Sequence, residues 1–108
     1  MREMKISGHQ IGRTYRPFII AEMSGNHNQS LERALQIVEA AARAGAHAIK
    51  LQTFSPETMT LDMQEREFYI SDVNSLWQGQ SIFELYKRAQ TPWEWHKPIF
   101  DHARELGI

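Results

Sequence analysis

The sequence predicts an α/β fold, namely the N-terminal portion of a (β/α)8 TIM barrel with a short leading β-hairpin. Two short apolar runs flank a segment with helical spacing, which is the order of a parallel strand–helix–strand unit. The nearly continuous apolar character of the first run indicates a strand covered on both faces. Two such strands leave both sheet edges open, so the simplest complete structure is a barrel of ~250 residues. A doubly wound open sheet is the alternative, but no G-x-G-x-x-G or Walker-type glycine run follows the first strand.

The first half of the chain contains a predicted hairpin, two strands and one helix. A turn-prone Ser-Gly pair between two isoleucines places the hairpin at 4–12. The first strand, 18–23, follows a proline that restricts its predecessor to extended conformations. Ser30 is the expected N-cap of a helix over 31–43, which a glycine two residues later would stop. The second strand is predicted at 46–53.

The second half begins with a long segment, 54–79, that shows no clear periodicity. A loop of this length in a compact domain is usually a functional cover or disordered. A capping-box pattern at 81–84 predicts the start of a short helix, and the same pattern recurs at 91–94. Pro98 is expected inside the final helix, where it would bend that helix by removing a backbone hydrogen bond.

Composition excludes several classes of function. The chain has 108 residues, a formal net charge of −1 and no cysteine, so it offers no general affinity for nucleic acid and no thiolate metal site. It contains no apolar run long enough to span a bilayer, and its start lacks the apolar core of a signal peptide. We therefore expect a cytoplasmic protein with no nucleic-acid or membrane partner.

Strand alternation indicates where a site would lie. Glu22 falls at the end of the first strand, and Lys50 and Gln52 share one face at the end of the second. Polar residues at the carboxyl ends of barrel strands are typical of catalytic positions. A lysine there suits a phosphate or carboxylate, and a glutamate can orient a hydroxyl or water. The alternative is that Glu22 and Lys50 form only a structural ion pair.

The loop after the first strand adds three polar side chains at the same end. Asn26 and Asn28 are either ligand contacts or turn formers, since asparagine is common in turns. His27 is a candidate general acid/base, hydroxyl partner or metal ligand, but no second ligand at a recognisable spacing accompanies it. We therefore predict no metal site within this chain. Trp77, Phe83 and Tyr86 either close over a ligand or pack in the core.

The stretch PFIIAEMSGNHNQSLERALQIVEAAARAGAHAIKLQTF resembles the start of the sialic acid synthase family, whose motifs read AEIG-x-NH-x-G and VK-x-QT. The variant AEMSGNHN, with SLW-x-G-x-S-I-F-ELY and TPWEWHKPIFDHARELGI, is more similar to the pseudaminic acid synthase branch. The resemblance covers nearly the whole chain. Gln29 departs from the pattern, in which a glycine usually stands at that position.

The resemblance implies a barrel followed by a small antifreeze-like domain, and condensation of phosphoenolpyruvate with an open-chain amino sugar. Lys50 matches the lysine that binds phosphoenolpyruvate, and Glu22 the acid near the sugar and the attacking water. Asn26, His27 and Gln52 match the motif as substrate-binding positions. The family uses a divalent metal such as Mn2+, whose ligands would lie outside this chain, and a homodimer is expected.

Three functions are consistent with these features. The first is part of a pseudaminic acid synthase acting on 2,4-diacetamido-2,4,6-trideoxy-L-altrose. The second is an N-acetylneuraminate or legionaminate synthase. The third is a barrel fragment that acts only as an interaction module. In each case we expect residues 1–108 to be an incomplete barrel that is inactive by itself.

Overall fold

The structure, a computed structural model, describes residues 2–63 and 65–108. Its strands are β1 (Met4–Ile6), β2 (His9–Ile11), β3 (Ile20–Ser24) and β4 (Ala48–Leu51). Its α-helices are α1 (Leu31–Arg43), α2 (Pro56–Met59), α3 (Ile82–Ala89) and α4 (His96–Glu105). Single turns of 3-10 helix occupy Arg66–Phe68 and Trp93–Trp95. Among the described residues, no helix has the length and apolar character needed to cross a membrane.

The predicted leading hairpin is confirmed. β1 and β2 pair antiparallel, with Met4 opposite Ile11 and Ile6 opposite His9. The two turn residues, Ser7 and Gly8, both have positive φ (45° and 84°), as expected for a two-residue hairpin turn whose twist matches that of the strands. The hairpin contacts the rest of the chain through the His9 ring, whose centroid lies 4.8 Å from that of Phe18.

The central unit is β3–α1–β4, in which the two strands pair in parallel. This confirms the predicted strand–helix–strand order. Helices α1 and α4 cover one face of the strand pair and form the core there with Met23. The buried core residues are Met23, Ala34, Val38, Ile99 and Ala103. A hydrogen bond of 2.9 Å between His102 Nε2 and Glu39 Oε1 also links the two helices.

The serine caps are confirmed. Ser30 Oγ accepts a hydrogen bond from the Arg33 N–H at 3.1 Å, and Ser81 Oγ accepts one from the Glu84 N–H at 3.1 Å. Each serine thereby satisfies one of the N–H groups that have no partner within a helix. The α1 helix ends as predicted, because Gly45 follows it with a φ of 92°.

Three local predictions are wrong. Both central strands are shorter than predicted, and Ser24 belongs to β3 although its φ is 51°. Thr91 does not cap a helix, because the 3-10 turn Trp93–Trp95 has Pro92 at its N-cap position and no side-chain cap. Pro98 is the third residue of α4. It therefore lies in the first turn, where a missing N–H removes no bond within that helix.

Candidate functional site

The site is built around an ion pair between neighbouring strands. Glu22 and Lys50 are paired in register across β3 and β4, and Lys50 Nζ donates a hydrogen bond to Glu22 Oε1 at 3.1 Å. Met23, one residue after Glu22, points to the opposite face and is fully buried. Strand alternation thus places both charged side chains on the face away from the helices, as the sequence predicts.

The pair is largely exposed to solvent. The side chains of Glu22 and Lys50 are 60% and 65% exposed. The physical reason is that only two strands form this face, so nothing in the described structure covers it. An exposed pair contributes only about 0.2–1 kcal/mol to stability. The lysine ammonium is therefore held in place by a weak interaction that a bound anion can replace.

Asn26 lies in the segment 24–29, which starts at the last residue of β3 and which we call the rim loop. Both its side-chain amide and its backbone N–H donate to the carbonyl of Met23, at 2.9 and 3.1 Å. These bonds close a tight turn directly after the strand. Asn26 is exposed and lies two residues beyond Ser24, where the pairing of β3 with β4 shifts register.

His27 belongs to the rim loop, and its side chain is fully buried. Its Nδ1 accepts a hydrogen bond from the Gln29 N–H at 3.1 Å, so the neutral ring carries its proton on Nε2, which faces Thr91 Oγ1 at 3.4 Å. The ring also packs edge-on against Trp95, with centroids 5.1 Å apart. Burial lowers the pKa of His27, because desolvation disfavours the imidazolium. This environment gives His27 a role in holding the loop.

A cavity of about 500 Å3 lies between the rim loop and α3. The rim loop supplies one wall, and α3 with Trp77 supplies the other. The lining residues are Ser24, Gly25, Asn26, Asn28, Trp77, Leu85, Tyr86, Arg88 and Ala89. A volume of this size is typical of sites for small molecules. The two aromatic side chains offer apolar surface, and Asn26 and Arg88 offer hydrogen-bond donors.

The structure brings together some of the predicted site residues and separates others. Glu22 and Lys50 are in contact, and Asn26 lines the cavity that begins two residues beyond Glu22. Gln52 is exposed just past the end of β4. The His27 side chain, by contrast, is fully buried.

Sequence reasoning missed Arg88 and Thr91. Arg88 falls in the last turn of α3, where a basic residue is common as a favourable partner of the helix dipole. Because that general role accounts for a basic residue there, nothing in the sequence indicated that Arg88 lines a cavity. Thr91 matches a capping pattern, which hid its contact with His27. Neither position carried a signal of its own, because both contacts join segments about 60 residues apart in the chain.

The described part of the chain offers no cluster of side chains suited to a metal ion. Among residues 2–63 and 65–108, no group of three or more histidine, cysteine, aspartate or glutamate side chains is arranged to hold one. His27 has its Nδ1 lone pair occupied by the Gln29 N–H.

A charged pair and a cavity at the carboxyl ends of parallel strands are typical of α/β proteins that bind small molecules there. The chain belongs to the NeuB family, whose family model matches residues 37–108. It is 48% identical over 91 residues to a pseudaminic acid synthase of Campylobacter jejuni, an alignment that covers 84% of this chain and 26% of that protein. It is 44% identical over 92 residues to the pseudaminic acid synthase of Helicobacter pylori, covering 85% and 26%.

A solved structure supports the same family. The N-acetylneuraminic acid (sialic acid) synthetase of Leptospira borgpetersenii, in complex with citrate, superposes with a TM-score of 0.73 at 25% identity. The superposition covers 99% of this chain and 32% of that one. The chain thus spans about a quarter of the length of the curated relatives it matches.

Proposed function

We propose that the chain forms the opening βα units of a (β/α)8 barrel in a longer pseudaminic acid synthase. That enzyme would condense phosphoenolpyruvate with 2,4-diacetamido-2,4,6-trideoxy-L-altrose, giving a nine-carbon nonulosonic acid and phosphate. The observation that carries the proposal is the Glu22–Lys50 pair, in register at the ends of parallel strands. Membership of the NeuB family and 48% identity to a pseudaminic acid synthase support it.

Lys50 is proposed to bind phosphoenolpyruvate. Its ammonium is exposed and accessible, and a carboxylate or phosphate of the substrate can compete with Glu22 for it. Once the substrate anion takes over the lysine, the Glu22 carboxylate becomes available as a hydrogen-bond acceptor. It would then orient the water that attacks the substrate and accept its proton.

The proposed reaction proceeds in three steps. The electron pair of the phosphoenolpyruvate double bond forms a bond from C3 to the aldehyde carbon of the sugar, and the aldehyde oxygen takes up a proton. Water adds at C2 and loses a proton to Glu22 as the tetrahedral intermediate forms. The C2–O bond to phosphate then breaks while the C2 hydroxyl gives its proton to the departing phosphate, which releases inorganic phosphate and leaves the ketone. Lys50 and Glu22 are the residues of this chain with a part in these steps.

The amino sugar is proposed to occupy the cavity beside the rim loop. Its acetamido and methyl groups would pack against Trp77 and Tyr86, and its hydroxyl and amide groups would bond to Asn26 and Arg88. Gln52, exposed at the end of β4, is a further proposed substrate contact. The buried His27 would support this site from below. The divalent metal implied by the resemblance, Mn2+ or similar, would be held by residues outside this chain, and a homodimer stays a prediction.

The test is phosphate release by the full-length enzyme with phosphoenolpyruvate and each of three sugars. These are the altrose derivative, N-acetylmannosamine and the precursor of legionaminic acid. Lys50→Ala should reduce turnover by at least roughly a hundredfold, the scale of losing one preorganised electrostatic contact. The matched control is Lys97→Ala, which removes a lysine that also forms an exposed ion pair, to Asp101 at 2.6 Å on α4.

The outcomes separate the candidate functions. Preference for the altrose derivative, with loss of turnover only in Lys50→Ala, supports the proposal. Preference for one of the other sugars would identify an N-acetylneuraminate or legionaminate synthase. Unchanged turnover in Lys50→Ala would contradict the catalytic assignment and favour an interaction module.

A further inference from the structure

Gln29 has a backbone conformation that disfavours its own side chain. Its φ is +62°, and that of the preceding Asn28 is +49°. Glycine adopts this left-handed region without steric cost, and asparagine tolerates it, but glutamine has neither advantage in this conformation. The side chain must therefore be explained by its contacts.

Those contacts join the rim loop to the segment where α3 ends. Gln29 Nε2 donates to the carbonyl of Arg88 and, at 3.3 Å, to that of Gln90. Carbonyls at a helix C-terminus have no partner within the helix and carry the negative end of its dipole. An amide donor suits this position, and a carboxylate would be repelled from it.

Two further contacts hold the same pair of segments together. Gly25 packs so closely on α3 that a Cβ added there would lie 3.1 Å from the Cβ of Ala89. His27 connects Thr91 to the Gln29 backbone through its two ring nitrogens. The rim loop is thus fixed to residues 88–91 at three points, at the junction of the two walls of the cavity.

We propose that Gln29 is a positioning residue that sets the separation of the two cavity walls and thereby the affinity for the amino sugar. The inference rests on the proposed function, because it takes the cavity to be the sugar site. Gln29 itself does not line the cavity; its neighbours in the rim loop and Arg88 do. Its effect on the substrate is therefore exerted through Asn26 and Arg88.

The kinetic test compares three variants of the full-length enzyme. Gln29→Glu keeps the shape but replaces the donor by a carboxylate, Gln29→Gly removes the side chain and relieves the backbone, and Gln29→Lys keeps a donor of sufficient reach. We expect the KM for the amino sugar to rise roughly tenfold in Gln29→Glu and Gln29→Gly. It should stay within about twofold of the parent value in Gln29→Lys, with kcat and the KM for phosphoenolpyruvate little changed throughout.

One control variant and one further measurement keep the outcome interpretable. Ser7→Gly makes the same backbone change at another positive-φ residue (φ 45°), in the hairpin turn, and should leave all constants unchanged. Hydrogen exchange of the amides in and next to the rim loop needs no substrate. The N–H groups of Asn26, Asn28 and Ser30 bond within this region and should exchange faster in Gln29→Glu than in Gln29→Lys.

The results distinguish failure of the inference from failure of the proposed function. A parent enzyme that turns over the sugar, with an unchanged sugar KM in Gln29→Glu and Gln29→Gly, overturns the positioning role alone. So does a rise in Gln29→Lys as large as that in Gln29→Glu. If the parent enzyme is inactive with every sugar, the proposed function is overturned, and the role of Gln29 in positioning the sugar site is overturned with it. The hydrogen-exchange rates would still decide whether Gln29 holds the rim loop in place.

Discussion

Replacing Gly25 by alanine tests how closely the rim loop must approach α3. A Cβ at this position would lie 3.1, 3.2 and 3.3 Å from the Cβ, carbonyl oxygen and Cα of Ala89. Ordinary van der Waals contact begins near 3.4 Å. Two of the three opposing atoms belong to the backbone, so the loop or the helix end must shift by a few tenths of an ångström.

The expected cost follows from that geometry. Gly25 has no positive φ, so the substitution adds no backbone strain and its effect is overpacking. Overpacking of a tight contact costs about 1–3 kcal/mol of unfolding free energy. The variant should also show a raised KM for the amino sugar, because the displaced loop forms a wall of the cavity.

The assay is denaturant unfolding of the full-length protein, followed by steady-state kinetics. Gly45→Ala is the matched control. It has no neighbour within 4 Å but a φ of +92°, so it should cost about 1–2 kcal/mol through its backbone alone and leave the sugar KM unchanged. Adding Ala89→Gly to Gly25→Ala removes the nearest opposing atom, and a double-mutant cycle should reveal favourable coupling. Strictly additive effects, or wild-type stability of Gly25→Ala, would refute the close-contact argument.

Two further predictions concern the core. Met23→Ala should lower the unfolding free energy by about 2–5 kcal/mol, because this fully buried side chain fills the space between β3 and the helices. The exposed Met59→Ala, measured by the same denaturant unfolding, should change it by less than about 0.5 kcal/mol, and equal losses would contradict the assigned core. Since burial lowers the folded-state pKa of His27 below its ordinary 6.5, the unfolded chain binds the proton more readily. Stability should therefore be fully present above about pH 6.5 and decline as the pH falls below it. Urea unfolding from about pH 8 to about pH 5 should show this slope, and a slope equally steep in His27→Gln would exclude His27 as its source.

The elements that the sequence predicted correctly are those set by local chemistry. Ser30 and Ser81 cap their helices because the capping pattern involves residues three apart. Strand alternation predicted that the side chains of Glu22 and Met23 lie on opposite faces of β3, and that prediction required no knowledge of the neighbouring strand. The Glu22–Lys50 contact followed from one further assumption, that the strands are parallel and in register.

The features that could not be predicted depend on contacts between distant segments. Thr91 fits a capping pattern, yet its hydroxyl faces a histidine 64 residues earlier. His27 looked like a rim residue because polar loop residues are usually exposed, and its burial depends on Trp95. Gln29 stands out in the sequence only as a departure from the glycine pattern. Its hydrogen bonds go to Arg88 and Gln90 at the end of α3, which lie 59 and 61 residues later in the chain.

The register shift at Ser24 has a consequence for how this region tolerates changes in length. Pairing runs in step from Ile20 to Glu22 and then skips one residue, so that Ser24 rather than Met23 stands opposite Leu51. Because of this irregularity, the pairing register of the strand does not depend on the length of the loop that follows it. Residues inserted or deleted beyond Ser24 leave the Glu22–Lys50 rung where it is. One residue lost before Glu22 would instead exchange the two faces of β3, sending the carboxylate towards the helices and Met23 into water.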